Sequence, residues 1–538
     1  MRKVIGKTVY EGVAFGKVYV RKSVGEDIRK CIIQNTEEEL IRVMHAQKKA
    51  MEELQGLMDA CAEDQKSSKE ILQAQLVMLS DEEYQKVIRQ KITDGKWNAE
   101  YAVFMAGEQF TRIMEKLSDS YIKDRAVDVK DITSRLIKCL RNDSRIVEEL
   151  AEPVIYVAKD LTPSEAIALD KSKVLAIVTT MGSVNSHTAI LARAMGIPAI
   201  VEAEMEIDTL QDGTEALVNG FSGECILEPD EEQRKAAKSL VEELEKQKKV
   251  LRELIGKEDM TLSGKKMRLL ANAGNMEDIE AAIQNDAGGI GLLRSEFLYL
   301  GRNTMPSEEE QFAIYKQALE MMNGKRVVVR TLDIGADKTP EYIDLETEEN
   351  PAMGFRAIRL CLHEEHILKT QLRALYRASV YGNLAIMYPM IISAKEIEAI
   401  QKIREQVKAQ LDSENIPYNH VQEGIMIETP AAALISDELA EKVDFFSIGT
   451  NDLTQYALAI DRQNGKLDAL YDAHHKAVHR MIHMVVENAH KAGKRVGICG
   501  ELASDVELTE WFLEIGVDEL SVVPAYILKM RQVIRQIK

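Results

Sequence analysis

Apolar residues along this chain change their spacing several times, and each change marks a different type of element. Lys7-Thr8-Val9-Tyr10 and Gly16-Lys17-Val18-Tyr19-Val20 alternate as strands do, with a turn expected near Gly12. From about Thr36 the spacing becomes helical. Leu40, Val43, Met44, Ala50, Met51 and Leu54 share one stripe, and Ile71, Leu72, Leu76, Val77 and Leu79 share the next. Further helical segments run from about Ala99 to Leu117 and from Val127 to Leu140, and no proline interrupts the region up to Leu150. A bundle of about four helices is expected there. Strand signals return at Pro153–Ala158, Val174–Val178, Ala199–Val201, Ala216–Val218 and Glu224–Leu227. The simplest assembly joins residues 1–20 and 150–228 in one α/β domain, with 21–149 inserted as the helical bundle. Residues 229–259 are dominated by Glu and Lys around an apolar stripe of Leu240, Val241, Leu244, Val250 and Leu251, which predicts a charged linker helix.

After residue 260 strand and helix alternate. Eight apolar runs read as strands: Met267–Ala271, Gly289–Leu292, Arg326–Thr331, Leu384–Met387, Gly424–Ile427, Phe445–Ile448, Arg495–Ile498 and Glu519–Val522. Eight strand–helix units in about 280 residues predict a (β/α)8 barrel over 260–538.

Composition narrows the class. With 45% hydrophobic and 29% charged residues, the 538-residue chain reads as several globular domains. No apolar run approaches the roughly 20 residues that span a bilayer. Met1-Arg2-Lys3-Val4-Ile5-Gly6-Lys7 has no apolar segment like a secretory signal, so a cytoplasmic protein is expected. A formal charge of −19 argues against nucleic acid as the main partner. The six cysteines (Cys31, Cys61, Cys139, Cys225, Cys361 and Cys499) are scattered, as reduced thiols are. An acidic protein that binds an anionic substrate needs local arginines and a cation.

Chemistry-bearing residues collect where the barrel runs end, the face at which such barrels hold their sites. Arg294 follows the second run, Arg330 and Asp333 close the third, and Glu428 closes the fifth. Asn451 and Asp452 follow the sixth, and Cys499 closes the seventh. Two carboxylates, Glu428 and Asp452, suit one hard divalent cation such as Mg²⁺. Arg294, Arg330 and Arg462 can fork onto phosphate and carboxylate oxygens. That is a site for a small phosphorylated acid. In the α/β part, Gly182-Ser183-Val184-Asn185-Ser186-His187 lies between the Val174–Val178 strand and a helical run to about Met195. A histidine at a helix N-terminus is well placed to accept a phosphoryl group. His475, His479 and His483 recur every four residues and read as an exposed helix face.

The run Asp444-Phe445-Phe446-Ser447-Ile448-Gly449-Thr450-Asn451-Asp452-Leu453-Thr454-Gln455-Tyr456, through Arg462, resembles the barrel signature of phosphoenolpyruvate-utilising enzymes. The His187 stretch resembles the phosphohistidine signature of the same superfamily. The domain order is similar to Enzyme I of the bacterial sugar phosphotransferase system, and the resemblance covers essentially the whole chain. It implies His187 as phosphorylated nucleophile, and Arg294, Arg330, Arg462, Asn451 and Asp452 as the phosphoenolpyruvate ligands. It further implies Glu428 and Asp452 as Mg²⁺ ligands, Cys499 as the acid that protonates the enolate carbon, and Arg356 as a further phosphate-side arginine. A swivelling His domain, docking of the phosphocarrier protein HPr on the helical insertion, and a dimer through the barrel follow from the same resemblance.

The chain departs from the family at the histidine. The usual Gly-Gly-Arg-Thr-Ser-His is here Gly182-Ser183-Val184-Asn185-Ser186-His187, Ala166 replaces a usual Thr, and Gln75 stands where relatives often have His. These changes direct attention to the acceptor: HPr, or another carrier served by a paralogue. Pyruvate phosphate dikinase and phosphoenolpyruvate synthase also need an ATP-binding domain, for which the first ~150 residues are too short and too helical, with no Gly-rich phosphate loop. A non-catalytic phosphoenolpyruvate sensor is the rival of a different class, and Cys499, Glu428 and Asp452 argue against it.

Overall fold

A computed structural model describes residues 2–21, 28–60, 66–115, 126–141, 150, 152–161, 165, 169, 171–182, 188, 189, 192, 196–300, 302, 304–335, 342, 343, 348–462, 464, 467 and 470–538. The chain forms two compact units, Met1–Lys246 and Gln247–Lys538.

The first unit contains one eight-stranded sheet. Its strands are β1 (Arg2–Ile5), β2 (Lys7–Tyr10), β3 (Val13–Val20), β4 (Val154–Ala158), β5 (Val174–Thr179), β6 (Ala199–Val201), β7 (Glu215–Asn219) and β8 (Glu224–Leu227), in the order β1-β8-β7-β3-β4-β5-β6-β2. Strand β3 pairs parallel with β4 and antiparallel with β7 and so lies in the middle of the sheet, while β1 and β2, which open the chain, form its two edges. Separate apolar clusters cover the two faces, one around Val18, Ile155 and Val178 and the other around Tyr156, Ile177 and Ala192. That double burial explains why β4 is apolar at every position. Strand β1 was not legible from spacing, since four residues with only Val4 buried carry too short a pattern.

Between β3 and β4 the described residues contain five helices, Thr36–Ala60, Lys66–Leu79, Glu82–Thr93, Ala99–Glu115 and Ala126–Leu140, where spacing predicts about four. The extra break has a local cause. Asp81 adopts an extended conformation and its carboxylate accepts from the Tyr84 N–H at 2.8 Å, capping a new helix. Gln75 is fully buried in this bundle, and its amide donates to Asp128 (3.2 Å) and Asp131 (3.0 Å). The helix Glu231–Arg252 follows, almost wholly exposed.

In the second unit, β9 (Arg268–Ala273), β10 (Gly289–Arg294), β11 (Arg326–Arg330), β12 (Leu384–Tyr388), β13 (Gln422–Ile427), β14 (Phe445–Ile448), β15 (Arg495–Ile498) and β16 (Glu519–Val522) form a closed parallel barrel. All eight expected runs are strands of it. The interior is packed by Leu292, Val328, Ala385, Met387, Met426, Phe445 and Cys499. At its amino-terminal end Arg326 pairs with Glu519 at 3.1 Å and stacks on Phe445, leaving the carboxyl end for chemistry. Of the three spaced histidines, His475 caps the helix Lys476–Lys491 and His483 is exposed, as an outward face predicts. His479 instead is half-buried and stacks on Trp511, with ring centroids 4.8 Å apart.

Candidate active site at the carboxyl end of the barrel

Five strand ends and the loops after them carry the polar residues into one place. Arg294 is the last residue of β10 and Arg330 the last of β11. Glu428 follows β13 directly, and there the chain turns sharply. Pro430 opens the next short helix, and Thr429 caps it by accepting from the Ala432 N–H at 3.1 Å. Asn451 and Asp452 lie in the first turn of the helix Thr450–Leu458, after β14. Cys499 follows β15, and a Cβ on the next residue, Gly500, would sit 2.0 Å from the Thr450 hydroxyl. Glycine is therefore required for the β15 loop to lie against the Asn451 turn.

Two arginines share one carboxylate. Asp333 meets Arg330 at 2.9 Å and Arg356 at 2.8 Å, and Glu296 also holds Arg330 at 2.8 Å. Burial disfavours the charge on Arg330, but Glu296, Asp333 and Glu428 outweigh it and its pKa rises. Arg356 donates further to the Tyr456 hydroxyl at 3.4 Å. Arg462 is more exposed and reaches Asp452 at 4.0 Å. Asn451 is clamped both ways by Glu501: its amide donates to the carboxylate at 2.9 Å, and its carbonyl accepts from the Glu501 N–H at 2.8 Å. Alanine at Asp333 would leave two buried guanidiniums short of a shared partner. We expect Asp333→Ala to cost about 3–5 kcal/mol of barrel stability. Urea unfolding followed by Trp511 fluorescence in a Trp97→Phe background measures it.

Glu428 is 1% exposed. Its Oε1 accepts from the Met390 N–H at 2.6 Å, while Oε2 is buried with no hydrogen-bond partner. Burial raises its pKa, Asp452 and Asp333 raise it further, and Arg330 and the Met390 N–H oppose the rise. A buried carboxylate oxygen left bare beside a second carboxylate fits a hard divalent cation. Among the described residues no set of three or more metal-ligating side chains converges. A cation here would therefore take Glu428 and Asp452 and complete its shell with water and substrate oxygens. The charges agree. Arg294, Arg330, Arg356 and Arg462 face Glu296, Asp333, Glu428, Asp452 and the Glu501 on Asn451, so only with a divalent cation does the cluster become net positive, as an anionic substrate requires.

Cys499 is 5% exposed, and its thiol lies against the Ile448 carbonyl at 3.5 Å. Burial pushes the thiol up to about 11. Glu428 adds to the rise, while Ser447, Arg330 and Arg294 oppose it. The group is thus a protonated thiol at neutral pH, in the field of the same charges that surround Glu428. The structure brings Arg294, Arg330, Arg356, Glu428, Asp452 and Cys499 into one electrostatic neighbourhood, with Asn451 and Arg462 beside Asp452.

His187, with Ser183–Ser186 and Ala166, lies outside the described residues. Of its neighbours in sequence, Gly182 has a left-handed backbone, and Thr188 is fully buried with its hydroxyl donating to Asp160 at 3.1 Å. Spacing and residue type missed three supporting residues. Glu296 lies in the Arg294-Ser295-Glu296 turn, and an acid two residues after a strand-end arginine was the available signal. Glu501 follows Cys499 by two. Gln371, fully buried, accepts from the Leu332 N–H at 2.9 Å and donates to Ser295 and Tyr315 at 3.0 Å each, which ties the ends of β10 and β11. Nothing local in the sequence marks it.

Family models of phosphoenolpyruvate-utilising enzymes match three stretches: the PEP-binding domain over residues 246–538, the N-terminal domain over 5–125 and the mobile domain over 150–223. The chain belongs to the phosphoenolpyruvate-utilising enzymes. Within them, phosphoenolpyruvate-protein phosphotransferases match it over essentially their full length. That of Priestia megaterium is 40% identical over 543 residues, which cover 100% of this chain and 94% of that protein. That of Bacillus subtilis (strain 168) is 39% identical over 538 residues, 99% of this chain and 94% of that protein. An NMR solution structure of Enzyme I (nEIt) protein is 31% identical, covering 45% of this chain and 99% of that one, with a TM-score of 0.38.

Proposed function

We propose that this chain is a phosphoenolpyruvate-protein phosphotransferase. It takes the phosphoryl group of phosphoenolpyruvate onto His187, passes it to the phosphocarrier HPr and releases pyruvate, the first step of sugar uptake by the phosphotransferase system. The observation that carries this reading is the buried Cys499 thiol at the end of β15, within the electrostatic reach of Glu428, Arg330 and Arg294. A barrel that merely held an anion has no use for a proton donor there.

In this reading Arg294, Arg330, Arg356, Arg462 and Asn451 hold the phosphate and carboxylate oxygens. Glu428 and Asp452 would hold Mg²⁺, and the charge it would supply there is the kind that offsets a transferring phosphoryl group. The imidazole of His187 attacks phosphorus, and the bond from phosphorus to the enol oxygen breaks. An imidazole of ordinary pKa, near 6.5, is mostly neutral at physiological pH, as attack requires. The enolate carbon then takes the proton of the Cys499 thiol to give pyruvate. His187 must reach both phosphoenolpyruvate and the carrier, which is the use of a mobile domain.

The domain roles follow. Residues 1–20 with 150–228 carry the phosphohistidine, 21–149 dock the carrier, 229–259 link, and 260–538 bind phosphoenolpyruvate. The protein works in the cytoplasm as a dimer through the barrel.

Incubation with phosphorus-labelled phosphoenolpyruvate and Mg²⁺, beside His187→Ala, tests this. The expected result is an acid-labile, alkali-stable label that needs His187 and appears with pyruvate. A folded parent protein that binds phosphoenolpyruvate yet takes no label would give the sensor the better claim. A labelled protein that passes its phosphoryl group to another carrier and not to HPr would assign the changed Gly182–His187 loop to a paralogue.

A further inference from the structure

The ladder between β15 and β16 ends before it reaches the proposed proton donor. The paired residues are Gly497 with Glu519 and Ile498 with Leu520. Cys499, just after β15, and Ser521 of β16 come next, and a side chain from a third strand takes over there. Asn272, near the end of β9, donates its amide to the Cys499 carbonyl at 3.1 Å and to the Ser521 carbonyl at 3.0 Å. Its own carbonyl accepts from the Ser521 hydroxyl at 2.7 Å.

Both N–H bonds and the acceptor of this amide are therefore used, and the orientation is fixed. Only the nitrogen can face two carbonyl oxygens. The tie needs room on the neighbouring strand. A Cβ at Gly291 of β10 would sit 2.4 Å from the Ser521 hydroxyl oxygen. On its other side, the Cys499 N–H donates to the Ile448 carbonyl of β14 at 3.1 Å. The Cys499 peptide is thus gripped through its N–H by β14 and through its carbonyl by Asn272.

We propose that Asn272 is a positioning residue for proton transfer. By holding the Cys499 carbonyl it sets where the thiol stands and which face of the enolate receives the proton. The inference rests on the reading of Cys499 as donor. In that step the enolate π pair forms the new C–H bond, the S–H bond breaks, and the thiolate recovers a proton from water before the next turnover. Asn272 touches neither substrate nor thiol in this scheme. It acts through the backbone of Cys499, and a displacement of about 1 Å at a reacting group can cost about 100-fold.

The test uses the full chain as Asn272→Ala, the near-isosteric Asn272→Asp, Ser521→Ala and Cys499→Ala, each checked for folding. Pyruvate formation is measured from phosphoenolpyruvate stereospecifically labelled at carbon 3, in H₂O and in D₂O. For Asn272→Ala we expect kcat to fall about 10–100-fold with KM within twofold. The solvent deuterium effect on kcat should grow, and the methyl group of pyruvate should lose its single chirality. Asn272→Asp keeps the shape but loses both donors, so it should do no better. Ser521→Ala keeps both carbonyl bonds and loses only the orienting one, so it should move the same readouts less, and it carries the test should Asn272→Ala fail to fold. Stereospecific pyruvate from folded Asn272 and Ser521 variants, while Cys499→Ala loses both rate and stereospecificity, overturns the role of Asn272. Unchanged rate and stereochemistry in Cys499→Ala would instead remove the donor reading on which the inference rests.

Discussion

Glu428→Gln is expected to abolish measurable phosphoryl transfer while making the ligand-free barrel more stable. The loss follows if Glu428 is one of only two protein carboxylates available to the cation. Cation stabilisation of transferring charge is worth several kcal/mol, so about a 10³-fold fall or more is expected. The gain in stability has a separate cause. Glu428 is buried, one of its oxygens has no partner, and burial with Asp452 and Asp333 raises its pKa. An unfolded glutamate ionises near pH 4.3. Below that range the carboxyl is protonated in both states and carries no penalty. As pH climbs from there towards the raised folded pKa, the unfolded chain gains stability relative to the native one, and above it the deficit stays. Gln has no such penalty. The difference in urea midpoint between Glu428→Gln and the parent should therefore open above about pH 4. Added Mg²⁺ with phosphoenolpyruvate should close it by stabilising only the parent. A variant less stable than the parent at pH 7 would show that the charged carboxylate is already compensated within the protein.

Cys499→Ala should separate substrate binding from turnover. A positioned general acid contributes about 10²–10⁴-fold, and pyruvate formation should fall by that amount. The affinity for phosphoenolpyruvate should change little, since the thiol lies among Leu292, Met387, Met426 and Phe445 as an apolar neighbour. The pH dependence gives a further check. Burial holds the thiol protonated up to about 11, so no alkaline limb due to this donor should appear in the parent between pH 6 and 9. An alkaline fall in that window that disappears in Cys499→Ala would mean that the thiol ionises earlier. Single-turnover measurement of pyruvate against pH, with equilibrium binding beside it, separates the two effects.

Much of the architecture was legible in the order of residues. A parallel strand buried on both faces writes a continuous apolar run, as in Val327-Val328-Val329 and Ile425-Met426-Ile427, and a barrel of such strands repeats that run eight times. The polar end of the barrel was legible too, because polar residues that end apolar runs stand out: Arg294, Arg330, Glu428 and Cys499. Local chemistry was less visible where a single residue decides. Asp81 splits the helical bundle once more than spacing alone predicts, because its carboxylate caps a helix in a stretch that otherwise keeps helical spacing.

The sequence by itself determined the barrel, the sheet of the first unit with helices inserted after β3, and which charged residues and which thiol gather at the strand ends. All of these follow from the period of apolar positions and from what interrupts it. Only the tertiary structure decided how those residues pair and ionise. That Asp333 serves two arginines, that one oxygen of Glu428 is left bare, that Gln75 is spent on Asp128 and Asp131, and that Asn272 holds Cys499 all depend on side chains from separate strands or helices. Asn272 and Cys499 are 227 residues apart in sequence and meet because the barrel closes. Periodicity reports which face a residue takes. It does not report the partner that closure brings to that face, and hydrogen bonding and pKa depend on the partner.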